Sequence, residues 1–111
     1  MNLSNREELI LLSIGLLQGN AYGYHIAKEF EEHTGKRISL ASIHTILYRL
    51  EGNGLLSSEL GGSTNKRGGR RKRIYSLTGY GIETIRAIQN ARTKIWSQLD
   101  GIISPELGQA T

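Results

Sequence analysis

Two groups of side chains in this sequence are of types and spacings that do chemistry. The first is Ser42, His44, Thr45, Tyr48 and Arg49, five hydrogen-bonding residues of mixed type within eight positions. Such a set can read the edges of base pairs, where donors, acceptors and the thymine methyl group make a distinguishable code. The second is Arg70, Arg71, Lys72 and Arg73, four consecutive cations with Lys66 and Arg67 just ahead of them. Guanidinium groups pair with phosphate through two parallel hydrogen bonds, so this run suits a polyanionic backbone. Each group also has a plainer reading. The first is equally the outer face of an ordinary surface helix, and the second a solvated loop or a localisation-type patch.

The elements that must carry these residues separate the readings. Residues 39–54, SLASIHTILYRLEGNG, place Ile43, Ile46, Leu47 and Leu50 on the i, i+3, i+4, i+7 stripe of an amphipathic helix. Ser39 is the predicted N-cap, and Gly52 and Gly54 suit a left-handed stop. The opposite face is then Ser42, Thr45, Tyr48 and Arg49. Residues 55–60 and 70–77 read as two strands, joined by GGSTNKRGG, a loop with no apolar residue. Together they predict a β-hairpin with a basic tip directly after the helix. Alternate strand residues face opposite sides, so Arg71 and Arg73 cannot share a face with Arg70 and Lys72.

Upstream, Ser4-Asn5-Arg6-Glu7 is a capping box that starts a helix running to about Gln18. Its apolar residues run nearly all round, which predicts burial on most sides, part of it against a second subunit. Gly19-Asn20 marks a turn. A second helix opens at Ala21-Tyr22-Gly23-Tyr24 and continues to about Thr34, with Tyr24, Ile26, Ala27 and Phe30 inward. Gly23 allows close packing of another helix or close approach of a phosphate backbone. The short link Lys36-Arg37-Ile38 leads into residues 39–54, which completes a helix-turn-helix. Thr78 caps a last helix. Gly79 and Gly81 weaken its first turn, so firm helix is expected from Ile82 to about Leu99 or a little beyond, with Pro105 as a stop.

Charge supports the same assignment. The net charge is +4 over 111 residues. Residues 1–35 hold two cations against five glutamates, and residues 76–111 balance three against three. Residues 36–75 hold nine cations against two glutamates. The excess is confined to the helix and the hairpin, as expected of a polyanion binder.

Other classes are poorly supported. There is no cysteine, which removes disulfides and thiolate metal sites and fits a reducing cytosol. His25 and His33 lie eight residues apart on one helix, about 80° apart around its axis, with no third ligand in view. No phosphate-binding glycine loop and no paired carboxylates occur, so no catalysis and no cofactor are expected. The start of the chain lacks the order of a signal peptide. Apolar runs such as LILL fall far below the roughly 18 residues of a membrane span. A soluble, cytoplasmic protein with no membrane contact is expected.

The combined pattern resembles the PadR family of winged-helix transcriptional repressors. It lies in Tyr22-Gly23-Tyr24-x-Ile26 and in Ser39-Leu40-x-Ser42-Ile43, followed by Leu47-Tyr48-Arg49-Leu50-Glu51-x-x-Gly54-Leu55. It continues in Gly69-Arg70-Arg71-Lys72-Arg73-x-Tyr75-x-Leu77-Thr78-x-x-Gly81 and covers about residues 8–100. A single C-terminal helix matches the small subfamily. The resemblance implies a bacterial homodimer whose C-terminal helix packs on its partner, bound to a near-palindromic operator. One departure stands out: family members commonly carry Tyr-Pro where this chain has His44-Thr45. His44 can still donate to a phosphate, more strongly when protonated, and Thr45 can meet a base edge or a thymine methyl.

The expected fold class is mainly α (α+β): a winged helix-turn-helix with a two-stranded wing and a long C-terminal helix. Residues 1–77 form the DNA-binding part, 78–104 the dimerisation helix and 105–111 a polar tail. Ser42, Thr45 and Arg49 face the groove, His44 and Tyr48 flank it, and Arg70, Arg71, Lys72 and Arg73 supply the wing. Tyr24, Tyr75 and Leu77 are assigned to the core, and Glu51 to a nearby arginine. Trp96, the only tryptophan, is read as interface packing. Its alternative is an effector site, in which paired indoles near a two-fold axis sandwich a planar aromatic or cationic molecule. The competing function is a winged-helix protein-interaction module without specific DNA binding, distinguishable by the salt dependence of DNA affinity.

Overall fold

The computed structural model describes residues 2–61 and 71–104. Three helices come first: α1 (Asn5–Leu17), α2 (Gly23–Thr34) and α3 (Leu40–Gly52). Two strands follow, β1 (Leu56–Leu60) and β2 (Arg73–Leu77), and then a long helix, α4 (Gly79–Ile103). The strands pair antiparallel in a register running from Leu56 opposite Leu77 to Leu60 opposite Arg73. This is the winged helix-turn-helix anticipated from the sequence, and the wing's tip and the tail beyond Ser104 lie outside the described residues.

Local chemistry sets the helix boundaries. The Glu7 N–H donates to the Ser4 hydroxyl at 3.1 Å, and the Ser4 N–H donates to Glu7 Oε1 at 2.8 Å, closing the capping box. Ser39 and Thr78 cap α3 and α4 in the same way, accepting from the N–H groups of Ser42 and Gly81. α2 stops at Gly35, whose φ of 74° lets its N–H reach the Glu31 carbonyl. α3 ends at Asn53, and Gly54 takes the positive φ that turns the chain into β1.

The core is a single cluster where the three helices meet the base of the hairpin. Ile10, Leu11 and Ile14 come from α1, Ile26 and Phe30 from α2, and Ile43, Ile46, Leu47 and Leu50 from α3. Ala21, Leu55, Leu56 and Tyr75 close it. Each large aliphatic side chain removed from water here contributes about 1.5–3 kcal/mol. The apolar stripe of α3 is thus fully docked, which fixes its other face outward. The hairpin is anchored by the Tyr75 N–H, which donates to the Ala21 carbonyl at 2.8 Å, and by Leu77, which packs on the core.

α1 is covered on most sides within one copy: Glu7, Ile10, Leu11, Ser13 and Ile14 are buried, while Leu12 and Leu16 are exposed, the latter by 60 %. Three expectations are corrected. Tyr24 is not core. It is 55 % exposed, since its position lies about 120° around α2 from Phe30, and the Lys28 ammonium sits 5.7 Å from its ring centre. β2 begins at Arg73, and β1 at Leu56, since the Leu55 carbonyl is taken by the Thr78 N–H, which ties the end of α3 to the start of α4; nothing in the structure explains the later start of β2. Finally, α4 is regular from Gly79. Gly81 does not weaken it but makes it fit, since a Cβ there would run into the Leu55 carbonyl oxygen.

α4 is docked only at its start. Ile85 packs on the core, and Arg92 Nη2 reaches Glu8 Oε1 of α1 at 3.0 Å, whereas residues 89–103 are all exposed.

Candidate nucleic-acid interface

The outward face of α3 is built by subtraction. With Ile43, Ile46, Leu47 and Leu50 buried, the residues left to solvent along the middle of α3 are Ala41, His44, Thr45, Tyr48 and Arg49, with Ser42 half-buried at their edge and Leu40 and Gly52 exposed at the helix ends. At about 100° per residue they span an arc of about 160° from His44 and Tyr48 on one side to Arg49 and Ser42 on the other. The five positions expected to read or flank a groove therefore share one surface. Tyr48 is the most projecting, 83 % exposed.

The hydrogen bonds these groups already make fix what they can offer. The Thr45 hydroxyl donates to the Ala41 carbonyl at 3.0 Å, which leaves it an outward acceptor beside a methyl group. The Ser39 hydroxyl donates to Ser42 Oγ at 3.0 Å while accepting from the Ser42 N–H, so Ser42 keeps its own proton to give. One acceptor-plus-methyl and one donor stand three residues apart, a mixed set suited to base edges.

Two members of the face are held by neighbours. Arg49 Nε lies 3.2 Å from Glu7 Oε2, and the Glu7 side chain is only 9 % exposed, so Arg49 is pinned across to α1. Glu7 thus serves the capping box and an ion pair at once. The His44 ring packs on Gly23 at the start of α2. The close approach that Gly23 permits is to this side chain of α3.

At the wing, Arg70 lies outside the described residues. Arg71, Lys72 and Arg73 are all exposed, yet the last two are tied inward. Arg73 Nη1 donates to Ser58 Oγ at 3.0 Å, and the Ser58 hydroxyl donates to Glu51 Oε2 at 2.8 Å. Glu51 was expected to meet an arginine directly. Ser58 stands between them, because Ser58 is paired with Tyr75 across the sheet and lies under the end of α3. The Lys72 ammonium sits 4.1 Å from the ring centre of Tyr22, a cation–π contact between wing and α2. Burial raises the pKa of the Tyr75 hydroxyl above its ordinary 10.0, and the Glu51 carboxylate adds to this, while Arg73 opposes it.

Tyr22, named in the sequence only as part of the Tyr22-Gly23-Tyr24 motif and given no role there, is the further contributor. Its hydroxyl lies 3.2 Å from His25 Nε2, and His25 Nδ1 lies 2.9 Å from the Asn20 carbonyl. A carbonyl only accepts, so Nδ1 carries the proton and the Tyr22 hydroxyl donates to Nε2. The i, i+3 spacing of Tyr22 and His25 was the available signal. His33 Nδ1 turns to the Glu29 carbonyl at 3.0 Å. Among the described residues, no three His, Asp or Glu side chains gather as a metal site, and no helix is long and apolar enough to cross a membrane.

Trp96 lies on the exposed half of α4. With Ile88, Ala91, Ile95 and Leu99 it lines an open depression of about 430 Å³.

Solved structures with this architecture include a PadR-like transcriptional regulator from Bacillus cereus, 22 % identical with a TM-score of 0.70, covering 88 % of this chain and 90 % of that one. A PadR family regulator from Clostridium difficile is 23 % identical with a TM-score of 0.69, covering 91 % of this chain and all of that one. One from Eggerthella lenta is 25 % identical with a TM-score of 0.66, covering 89 % and 84 %. No curated protein matches the chain. The pattern of the transcriptional regulator PadR-like family matches residues 11–87, more than two thirds of the sequence and all of the helix-turn-helix and wing. The chain belongs to the PadR-like family of transcriptional regulators, whose chemistry is DNA binding.

Proposed function

We propose that this regulator is a cytoplasmic, homodimeric repressor that sets α3 into the major groove of a near-palindromic operator and lays its wing along the backbone. The observation that carries the reading is the outward face of α3, where Ser42 offers a donor and Thr45 an acceptor with a methyl, flanked on one side by His44 and Tyr48. Arg49 contributes to the same face from its Glu7 anchor. Residues 1–77 serve as the DNA-binding part and residues 78–104 as the dimerising helix. Arg70, Arg71, Lys72 and Arg73 are assigned to phosphates; among the described ones, Arg71 lacks the Tyr22 and Ser58 contacts that hold Lys72 and Arg73.

Dimerisation is supported by apolar surface that one copy leaves bare. Ile95, Trp96, Leu99, Ile102 and Ile103 are exposed along α4, and Leu12 and Leu16 along α1. Beside the latter lies an apolar cavity of about 390 Å³ lined by Leu9, Leu12, Leu16, Leu77 and Ile85. Contiguous apolar surface of this kind marks an association face. Trp96 on that face is the assigned contact for a planar aromatic or cationic effector that releases the DNA.

Selection of bound duplexes from a random pool tests the reading. The expected result is a palindromic site with half-sites about one or two helical turns apart, occupied less tightly as salt rises. A pool that yields no preferred sequence overturns it in favour of a protein-interaction module. A promoter carrying the selected site should be less active when the protein is present. Sedimentation should give a dimer that Ile95→Glu with Ile102→Glu converts to monomer. Trp96 fluorescence should shift with at least one member of a panel of planar cations, and silence across the panel removes the effector.

A further inference from the structure

We infer a second phosphate-binding surface, formed by Arg6, Lys36 and Arg37, on the side of α3 turned toward α1 and away from His44. It rests on the reading that α3 enters the major groove, and extends the protein's grip on the same duplex to a strand segment that the wing does not reach.

Two depressions run together along this side of the molecule, and Arg6 stands between them. The larger, about 550 Å³, is bordered by Ser42, Thr45 and Arg49 of α3 and by Ser4 and Glu7 of α1. The smaller, about 330 Å³, is bordered by Asn5, Thr34, Lys36 and Arg37. A continuous trough of mixed polar and apolar lining thus leads from the reading face of α3 to the link between α2 and α3. Arg6, Lys36 and Arg37 are all exposed along it.

The acidic start of the chain, five glutamates in residues 1–35, does not repel an anion here. Its carboxylates are engaged elsewhere. Glu7 is turned inward onto the Ser4 N–H and Arg49, and Glu8 pairs with Arg92 of α4 at 3.0 Å. Glu31 lies 3.6 Å from Arg37, an exposed contact of the kind that contributes little and leaves the guanidinium able to turn to a stronger partner. Among the described residues no ion pair holds Arg6 or Lys36. The trough therefore has a cationic rim, and the one carboxylate on its lining, Glu7, is held by Arg49 and the Ser4 N–H.

The backbone that presents these cations is ordered. Arg6 lies within the capped first turn of α1. The Lys36 N–H donates to the Thr34 hydroxyl at 3.1 Å, which itself donates to the Phe30 carbonyl at 2.7 Å. Arg37 is two residues ahead of the Ser39 cap of α3. Little ordering is left to occur on binding, which favours a fixed phosphate contact over a diffuse charge effect.

The test measures affinity against salt for a duplex selected from a random pool and for one of mixed sequence. The proteins compared are the wild type, Arg6→Ala with Arg37→Ala, Arg71→Ala and Thr45→Ala, with thermal melts to establish folding. Arg6→Ala with Arg37→Ala should weaken both duplexes by the same factor and flatten the plot of log affinity against log salt by about 0.9 for each contact removed. An unchanged slope with these two substitutions, while Arg71→Ala flattens it or Thr45→Ala loses the selected duplex alone, overturns the surface and leaves the reading of α3 intact. If neither Thr45→Ala nor Arg71→Ala alters binding, the groove reading itself falls, and the surface with it.

Discussion

The imidazole of His44 occupies the space that a side chain at Gly23 would need: a Cβ there would stand 3.0 Å from Cε1 and 3.3 Å from Nε2. His44 of α3 is therefore seated on the glycine of the Tyr22-Gly23-Tyr24 motif. Two positions 21 residues apart act as one joint between α2 and α3.

That joint predicts non-additivity. Gly23→Ala alone should gain little, because the unfolded-chain entropy it removes is offset by displacement of the His44 ring. In a His44→Ala background the same substitution should stabilise by about 0.4–1 kcal/mol. Urea unfolding of the four proteins gives the coupling, expected at about 0.5–1 kcal/mol. Effects that simply add would mean that the ring gives way freely.

Two glycines of α4 should behave oppositely. Gly81→Ala drives a methyl into the Leu55 carbonyl, which is itself held by the Thr78 N–H, so the helix must shift off the hairpin. A loss of about 2 kcal/mol or more is expected. Nothing lies near a Cβ at Gly79, where alanine should gain about 0.5 kcal/mol from helix propensity. Thermal melts of both variants check the pair, and equal effects would contradict the packing at Leu55.

Arg49 and Thr45 share a face but should not share a phenotype. Arg49→Ala leaves the nearly buried Glu7 carboxylate without its cation, so it should cost roughly 1 kcal/mol of stability in addition to any loss of DNA affinity. Thr45→Ala removes only an exposed hydroxyl and methyl and should leave stability within about 0.5 kcal/mol while changing sequence preference. Unfolding curves alongside binding curves separate the two, and a fully stable Arg49→Ala would show that the Glu7 pair contributes nothing.

Tyr75 makes stability fall in alkali. Its folded pKa is raised above 10.0. Below pH 10 the hydroxyl is protonated in both states and the contribution is complete. As pH rises past the unfolded value, the unfolded chain ionises first, and stability is lost up to the folded pKa. Tyr75→Phe has no proton to lose, so the gap between wild type and variant should move in the variant's favour between pH 9 and 11, a range set by the ordinary tyrosine value of about 10. Urea midpoints across that range measure it, and parallel curves would rule out Tyr75 as the source.

What the sequence determined by itself is the part of this protein governed by near neighbours along the chain. The caps at Ser4, Ser39 and Thr78, the stop at Gly35 and the apolar stripe of α3 depend on groups three or four residues apart. Backbone hydrogen bonding decides these before any tertiary contact forms. The clustering of nine cations in residues 36–75 is equally a property of the chain, and with the family spacing it was enough for the fold and for DNA binding. Only the tertiary structure decided which side chains meet. Periodicity gives a helix its faces but not its neighbours, so it could not tell that Arg49 would cross to Glu7 or that Ser58 would stand between Glu51 and Arg73. Nor could it tell that Tyr24 would face water while His44 took the place beside Gly23. Those pairings follow from how α1, α2 and the hairpin close around one core, where shape and volume choose among faces that the sequence left equivalent.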